Sequence, residues 1–325
     1  MRETDRILPG VALMIFFCVV APLIDVAAKL AAQEVPVGMV TLGRFVVQGA
    51  LMAPIVALLG LSLRLSRRAL RLTALRALCA IGSTYCFVAA VKVMPIADAL
   101  AIAFVEPFVI LLIGRLVLGE QVGPRRLGAA VAGFVGALFV IQPSFAAFGA
   151  IALFPLATAV FFAAYMLVTR ALSNEVHPVT MQLHTALAAA ALCLPLLGLG
   201  ARMAEPSLVV VLPQGIFWLW MFCVGLAATI SHMAMTYALK FAPSSTLAPL
   251  HYLEIVTATL FGYLFFRDFP NALTWVGVGI IVASGLYVIH RERVTAARLR
   301  PVRGADALLA RGSAPARPAT DARDP

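Results

Sequence analysis

From residue 8 to residue 290 the chain is a succession of apolar runs, each long enough to cross a bilayer, joined by short polar connections. About 20 apolar residues wound as a helix match the roughly 30 Å of hydrocarbon, and in lipid only helices and closed barrels satisfy their own backbone. The runs lie at 8–30, 36–60, 74–94, 95–119, 125–143, 148–171, 177–200, 214–241, 244–266 and 271–290. They predict an all-α polytopic membrane protein with ten transmembrane helices. Pro36, Pro95, Pro178 and Pro243 stand at run starts, where a missing N–H costs no helical hydrogen bond. With 62% hydrophobic and only 12% charged residues, the composition excludes an ordinary soluble domain. Arg2 and Arg6 precede the first run, which is too long for a cleavable signal and reads as the first span.

The net charge of +10 follows from topology rather than from nucleic-acid binding. With the N-terminus (1–7) in the cytoplasm, the inner connections hold Arg64, Arg67, Arg68 and Arg71, then Arg125 and Arg126, then Arg170, then Lys240. The tail adds Arg291, Arg293 and Arg298, whereas the outer side carries only Lys29, Lys92, Arg202 and Arg267. This asymmetry predicts a cell (inner) membrane protein with both termini cytoplasmic. Residues 294–325, rich in Ala, Arg and Pro, read as a disordered basic tail able to touch anionic lipid. The five cysteines show no metal-ligand spacing and read as packing residues, so neither a metal nor a cofactor is expected.

Two segments of the chain repeat. Lys92, Pro95, Glu106, Leu112, Gly114 and Glu120 recur 148 positions later as Lys240, Pro243, Glu254, Leu260, Gly262 and Asp268. The halves 8–143 and 148–290 each hold five spans, an odd number, so they enter the membrane from opposite sides as two inverted five-helix repeats. Secondary transporters use this architecture, with the solute site near the midplane where the repeats meet. Glu106 and Glu254, midway along spans four and nine, are then candidates to face one cavity.

The pattern Pro95-x-x-Asp98-Ala99, Glu106-Pro107, Gly114 and Leu118-Gly119-Glu120, followed by a Gly-rich span, resembles the EamA repeat of the drug/metabolite transporter superfamily. AVFFAAYMLVTRAL at 159–172 is similar to that family's sixth span, and Asp25-x-x-x-Lys29 with Arg44 resembles a large bacterial subset. The second repeat departs from the pattern: Leu253-Glu254-Ile255 lacks the proline and Arg267-Asp268 replaces Gly-Glu. The resemblance implies a carrier of small metabolites, whose family solutes include amino acids, nucleosides, S-adenosylmethionine, riboflavin and sugars.

Polar groups inside the runs are the candidate site. A charged side chain at the bilayer centre costs at least about 2.5–3.5 kcal/mol, so Glu106 is expected to bind solute or carry a proton, the alternative being a protonated carboxyl hydrogen-bonded to a neighbouring helix. Pro107 lacks an N–H and frees the carbonyl of Ala103; Pro249 does the same for Ser245. His251, Tyr252 and Glu254 fall within one turn, and Tyr85 and Tyr165 offer rings with hydroxyls for a planar solute. Asp25 and Lys29 share a helix face and, with Arg44, Asp98 and Lys92, lie in the outer half, as an outer gate of ion pairs or as structural pairs and snorkelling anchors. His184, Gln182, Gln48, His232 and Tyr237 read as interhelical hydrogen-bonding groups. Ala129-x-x-x-Gly133 and Ala132-x-x-x-Gly136 in span five read as close helix packing, with a homodimer as the weaker alternative.

These features together predict a secondary transporter of a small polar metabolite, working by alternating access and open to proton coupling through Glu106 or Glu254. Within the family-implied solutes the leaning is to uptake of a planar metabolite such as riboflavin. The alternative is an exporter or exchanger of amino acids or S-adenosyl compounds. An intramembrane enzyme is disfavoured by the lack of an HExxH, paired-Asp or serine-elbow motif, and a channel by the lack of a filter loop.

Overall fold

The computed structural model describes residues 7–106, 123–141 and 148–267 continuously, and isolated positions within 109–119 and 272–290. Pro107, Gly114, Glu120, Asp268 and the tail from 291 lie outside the described residues. Every regular element among the described residues is helical. In chain order they are α1 (Ile7–Val20), α2 (Pro22–Ala31), α3 (Val37–Leu58), α4 (Arg67–Val91), α5 (Ile96–Ala103) and α6 (Pro124–Ile141) in the first half. The second half contributes a 3-10 turn (Gly149–Ala152), α7 (Leu153–Leu172), α8 (Pro178–Arg202), α9 (Phe217–Phe241), α10 (Ser244–Leu247), a 3-10 segment (Ala248–Leu253) and α11 (Glu254–Phe266). Among the described residues, six stretches are long and apolar enough to cross a membrane: Ile7–Ala31, Val37–Leu58, Arg67–Val91, Gly149–Leu172, Pro178–Arg202 and Phe217–Phe241. Val46, Leu78, Leu187, Leu194 and Trp218 are more than half exposed, as side chains that face lipid would be.

Two helix boundaries differ from the sequence expectation. The hydrogen-bond ladder of the first span is interrupted at Ala21, because Pro22 has no N–H to donate, which divides it into α1 and α2, although Ala21 keeps helical dihedrals and the two run on as one 25-residue stretch. The third begins at Arg67 rather than near 74. Ser66 caps it, its hydroxyl accepting from the Ala69 N–H at 3.0 Å, and hydropathy is blind to a helix that starts among arginines. Arg170 is no loop charge either; it is buried and its guanidinium donates to the Leu239 carbonyl at 2.6 Å, capping the end of α9.

The packing pattern repeats itself across the two halves. α1 packs on α9 as α4 packs on α7; α3 packs on α9 as α8 packs on α4; α2 packs on α11 as α5 packs on α7. Each of these couples exchanges members of the two repeats, which is the signature of a pseudo-two-fold. Phe104 and Tyr252, one repeat length apart, touch directly: the Tyr252 hydroxyl donates to the Phe104 carbonyl at 3.3 Å and the rings lie 5.6 Å apart. Residues on the axis of a two-fold meet their own mates in this way.

The repeats are inverted. The connection after α3 and that after α7 share one face, where Arg68 and Ser66 both hydrogen-bond Glu175, the former at 2.7 Å. The repeat mate of the α7–α8 connection is the α2–α3 connection, and α3, at 22 residues, holds that one roughly 33 Å away on the opposite face. That opposite face also receives the α4–α5 connection, since Lys29 donates to the Met94 carbonyl at 3.0 Å, and the α8–α9 connection, since Tyr85 bonds Ser207 at 2.7 Å. Equivalent connections therefore sit on opposite faces.

The small-residue face of α6 packs inside the bundle. The Ala129 carbonyl accepts from Ser284 at 2.6 Å, and a Cβ added at Gly133 would run into the Tyr252 ring. Gly133→Leu is expected to destabilise the purified protein by at least about 1–3 kcal/mol through overpacking at the repeat axis, read as a lowered melting temperature in detergent.

Candidate functional site

Both central helices break at their glutamates. α5 ends at Ala103, residues 104–105 turn, and helix resumes at Glu106. In the second repeat the 3-10 segment Ala248–Leu253, which contains Pro249, tightens the chain before α11 opens on Glu254. Breaks of this kind at membrane depth occur only where backbone is buried in protein or lines a cavity.

Such a cavity is present. It encloses about 840 Å³ of empty space, mouth included. Its acids are Asp25, Glu106 and Glu254; its other polar groups include Arg44, Thr84, Tyr165 and His232; Phe17, Phe87, Phe104 and Phe162 give it aromatic walls. The mostly apolar lining with a few placed polar groups has the character of a small-molecule site. The lining from α2 (24–28), the start of α3, the last turns of α4 and the first turns of α7 lies toward the face of the α2–α3 connection. Toward the opposite face the bundle is filled by two apolar clusters, one around Ala69, Leu172 and Met181 and one around Met52, Val56 and Leu183.

Between cavity and fill stands a polar network centred on Arg76, which is fully buried. Its Nε donates to Thr169 at 2.7 Å and its Nη2 to the Tyr165 hydroxyl at 2.6 Å. Thr185, Gln182, Thr236 and the Met181 carbonyl complete the cradle. Every one of these acceptors is neutral and belongs to the second repeat, so a cation of the first repeat is solvated by α7, α8 and α9 in place of water. The guanidinium also lies 4.2 Å from the centre of the Tyr165 ring. Gln48 joins through Gln182 at 2.9 Å, tying α3 to the same cluster.

Tyr165 connects this network to the cavity. His232 Nδ1 lies 3.2 Å from its hydroxyl, and His232 Nε2 lies 2.8 Å from Arg44 Nη2. Arg44 Nη1 bonds Thr84. Thr84 and His232 are repeat mates, 148 positions apart, so Arg44 bridges equivalent points of the two halves. Arg44 Nε is buried with no acceptor among the described residues, leaving one donor beside the cavity unused.

The expected site residues separate into groups. Glu106, Glu254, Asp25, Arg44 and Tyr165 converge on the cavity. Asp25 and Arg44 do not form the expected contact pair: the guanidinium binds Thr84 and His232 while the carboxyl of Asp25 faces the same space. His251 and Tyr252 lie behind the lining; Tyr252 packs on Phe104, and His251 reaches Glu106 with its Nδ1 3.5 Å from Oε1. Tyr85 stands apart, held by Ser207 at the end of the bundle, because the helical turn from Thr84 points it outward. Lys29 anchors to Met94 and lies 5.0 Å from the Phe266 ring centre, and Asp98 is half-buried in the first turn of α5.

Arg76 is the residue the sequence reading missed. The serine cap at Ser66 is the signal that places it in the third turn of α4. Tyr165→Phe removes a partner from both Arg76 and His232, and leaving buried groups unsatisfied costs about 1–3 kcal/mol. A lowered melting temperature with the fold retained is expected by circular dichroism.

The model of the EamA-like transporter family matches residues 8–142 and 148–290. A riboflavin transporter of Rhizobium johnstonii is 31% identical over 206 residues, 63% of this chain and 66% of the relative, just under two thirds of its length. A riboflavin transporter of Brucella anthropi is 26% identical over 247 residues, 74% of this chain and 86% of the relative. An S-adenosylmethionine uptake transporter of Rickettsia felis is 23% identical over 206 residues, 63% and 67% of the two chains. A solved crystal structure superposes with a TM-score of 0.69 at 22% identity, covering 90% of this chain and 100% of the other, which establishes the likeness of fold.

Proposed function

Because the chain belongs to the EamA-like transporter family, with both halves matched, we propose that it is a secondary carrier that moves a small, planar, polar metabolite across the cytoplasmic membrane by alternating access. The observation that carries this reading is the cavity at the repeat axis, closed toward one face by the Arg76 network and bordered by two broken helices. Ten spans, with both termini cytoplasmic, fit the arginine distribution. In that orientation the cavity faces outward and the packed side faces the cytoplasm.

Riboflavin is the favoured solute, with uptake the favoured direction. Aromatic walls from Phe17, Phe87, Phe104 and Phe162 suit a flat ring, and the unused donor of Arg44 beside Thr84 suits a carbonyl edge. Two of the relatives described above are riboflavin transporters, which supports the same choice. The three carboxyl groups Asp25, Glu106 and Glu254 favour a second reading, a cationic S-adenosyl compound. The outer-gate role of Asp25 and Arg44 also belongs to this proposal. Both residues line the open side, where closing the cavity would bring them together.

Proteoliposomes holding the purified chain decide between the solutes: labelled riboflavin is expected to enter and S-adenosylmethionine to compete poorly. Arg44→Gln is expected to weaken riboflavin uptake about 10-fold or more, since a hydrogen bond from a charged group contributes about 1.5–3 kcal/mol. Riboflavin uptake indistinguishable from protein-free vesicles would rule out this solute.

A further inference from the structure

Glu106 and His251 come from opposite repeats and meet beside the cavity, with His251 Nδ1 3.5 Å from Glu106 Oε1. His251 is fully buried, and Glu106 is 6% exposed. Glu106 Oε1 and both ring nitrogens of His251 have no hydrogen-bond partner among the described residues. Buried polar side chains are nearly always satisfied, and each exception calls for a reason.

Access to the pair is one-sided. Glu106 lines the cavity, whereas His251 lies behind it, its ring centre 5.3 Å from that of Phe17 and 5.9 Å from that of Phe162. Among the described residues, Glu106 both lines the cavity and comes within 3.5 Å of the His251 ring. Asp25 from α2, Arg44 from α3, His232 from α9 and Glu254 from α11 line the cavity beside Glu106, and Cys18 from α1 and Tyr252 are further titratable groups near the pair.

Resting on the carrier reading above, the geometry points to the Glu106–His251 pair as the site that carries a coupling proton. Glu106 takes a proton from cavity water. The carboxyl O–H bond then breaks as the Nδ1–H bond of His251 forms, leaving a carboxylate beside an imidazolium and consuming no other reactant. That ion pair ties the break in α5's span to the 3-10 segment before α11. Losing the proton leaves a buried negative charge and loosens the tie between the repeats, whose relative rocking is the transport motion. His251 is a positioning and proton-holding residue and touches no solute.

Two measurements on the full chain test this. The first needs no solute: infrared difference spectra of purified protein as the buffer is stepped from acid to alkaline. A carboxyl band that disappears in Glu106→Gln and shifts in His251→Gln is expected; a carboxyl spectrum unchanged by His251→Gln overturns the pair. The second uses riboflavin in proteoliposomes. His251→Gln is expected to keep riboflavin counterflow and to lose accumulation driven by an imposed pH gradient; gradient-driven accumulation equal to the parent's overturns the proposal. If the parent moves no riboflavin, the solute reading fails alone, and the infrared measurement still decides the pair. Should His251→Gln not fold, Glu106→Asp, which keeps the acid and widens the gap, is expected to shift the same band, and an unshifted band overturns the pair.

Discussion

Arg76 is the interaction on which the arrangement depends. A guanidinium that cannot reach water must be solvated by protein, and here one helix of the first repeat supplies the cation while three helices of the second supply the acceptors. Using neutral acceptors has a consequence. A buried ion pair breaks badly, because removing one partner strands the other, whereas hydroxyls and amides can exchange Arg76 for water or solute one hydrogen bond at a time. The cluster thus closes one side of the cavity without locking the repeats together. Tyr165 is shared between this closure and the cavity wall, so a change on either side is felt by the other.

The helix breaks follow from the same economy of backbone hydrogen bonds. Spans four and nine interrupt their ladders at the repeat axis, where protein surrounds them, and each resumes on a glutamate. Around that axis the two-fold is approximate in chemistry though close in geometry. Phe104 meets its mate Tyr252, and Arg44 bridges Thr84 and its mate His232. The polar groups Arg44, Arg76, Tyr165 and His232, whose positions 148 residues away hold Leu192, Val224, Phe17 and Thr84, gather on an otherwise symmetric frame.

Legibility in the sequence tracked how local each signal was. Long apolar runs, prolines at run starts and the constant offset between Glu106 and Glu254 are local or strictly periodic, and the helical frame with its two repeats follows from them. Boundaries were weaker wherever a cap or proline overruled hydropathy, as at Ser66 and Pro22. The acids were visible because a carboxyl in an apolar run is costly wherever it points. Arg76 and Thr84 were not, because their roles depend on the angle at which a helix presents them: Thr84 faces Arg44, while its neighbour Tyr85, singled out in the sequence for its ring, bonds Ser207.

By itself the sequence determined that this chain lives in lipid, that it is helical, and that it is built twice over, because hydrophobic length, backbone satisfaction and the constant 148-residue offset admit little else. Tertiary structure alone decided which polar groups share the cavity, that Arg44 binds Thr84 and His232 rather than Asp25, and that His251 stands behind Glu106. Those outcomes turn on distances of a few ångströms between residues far apart in the chain, and no local pattern encodes them.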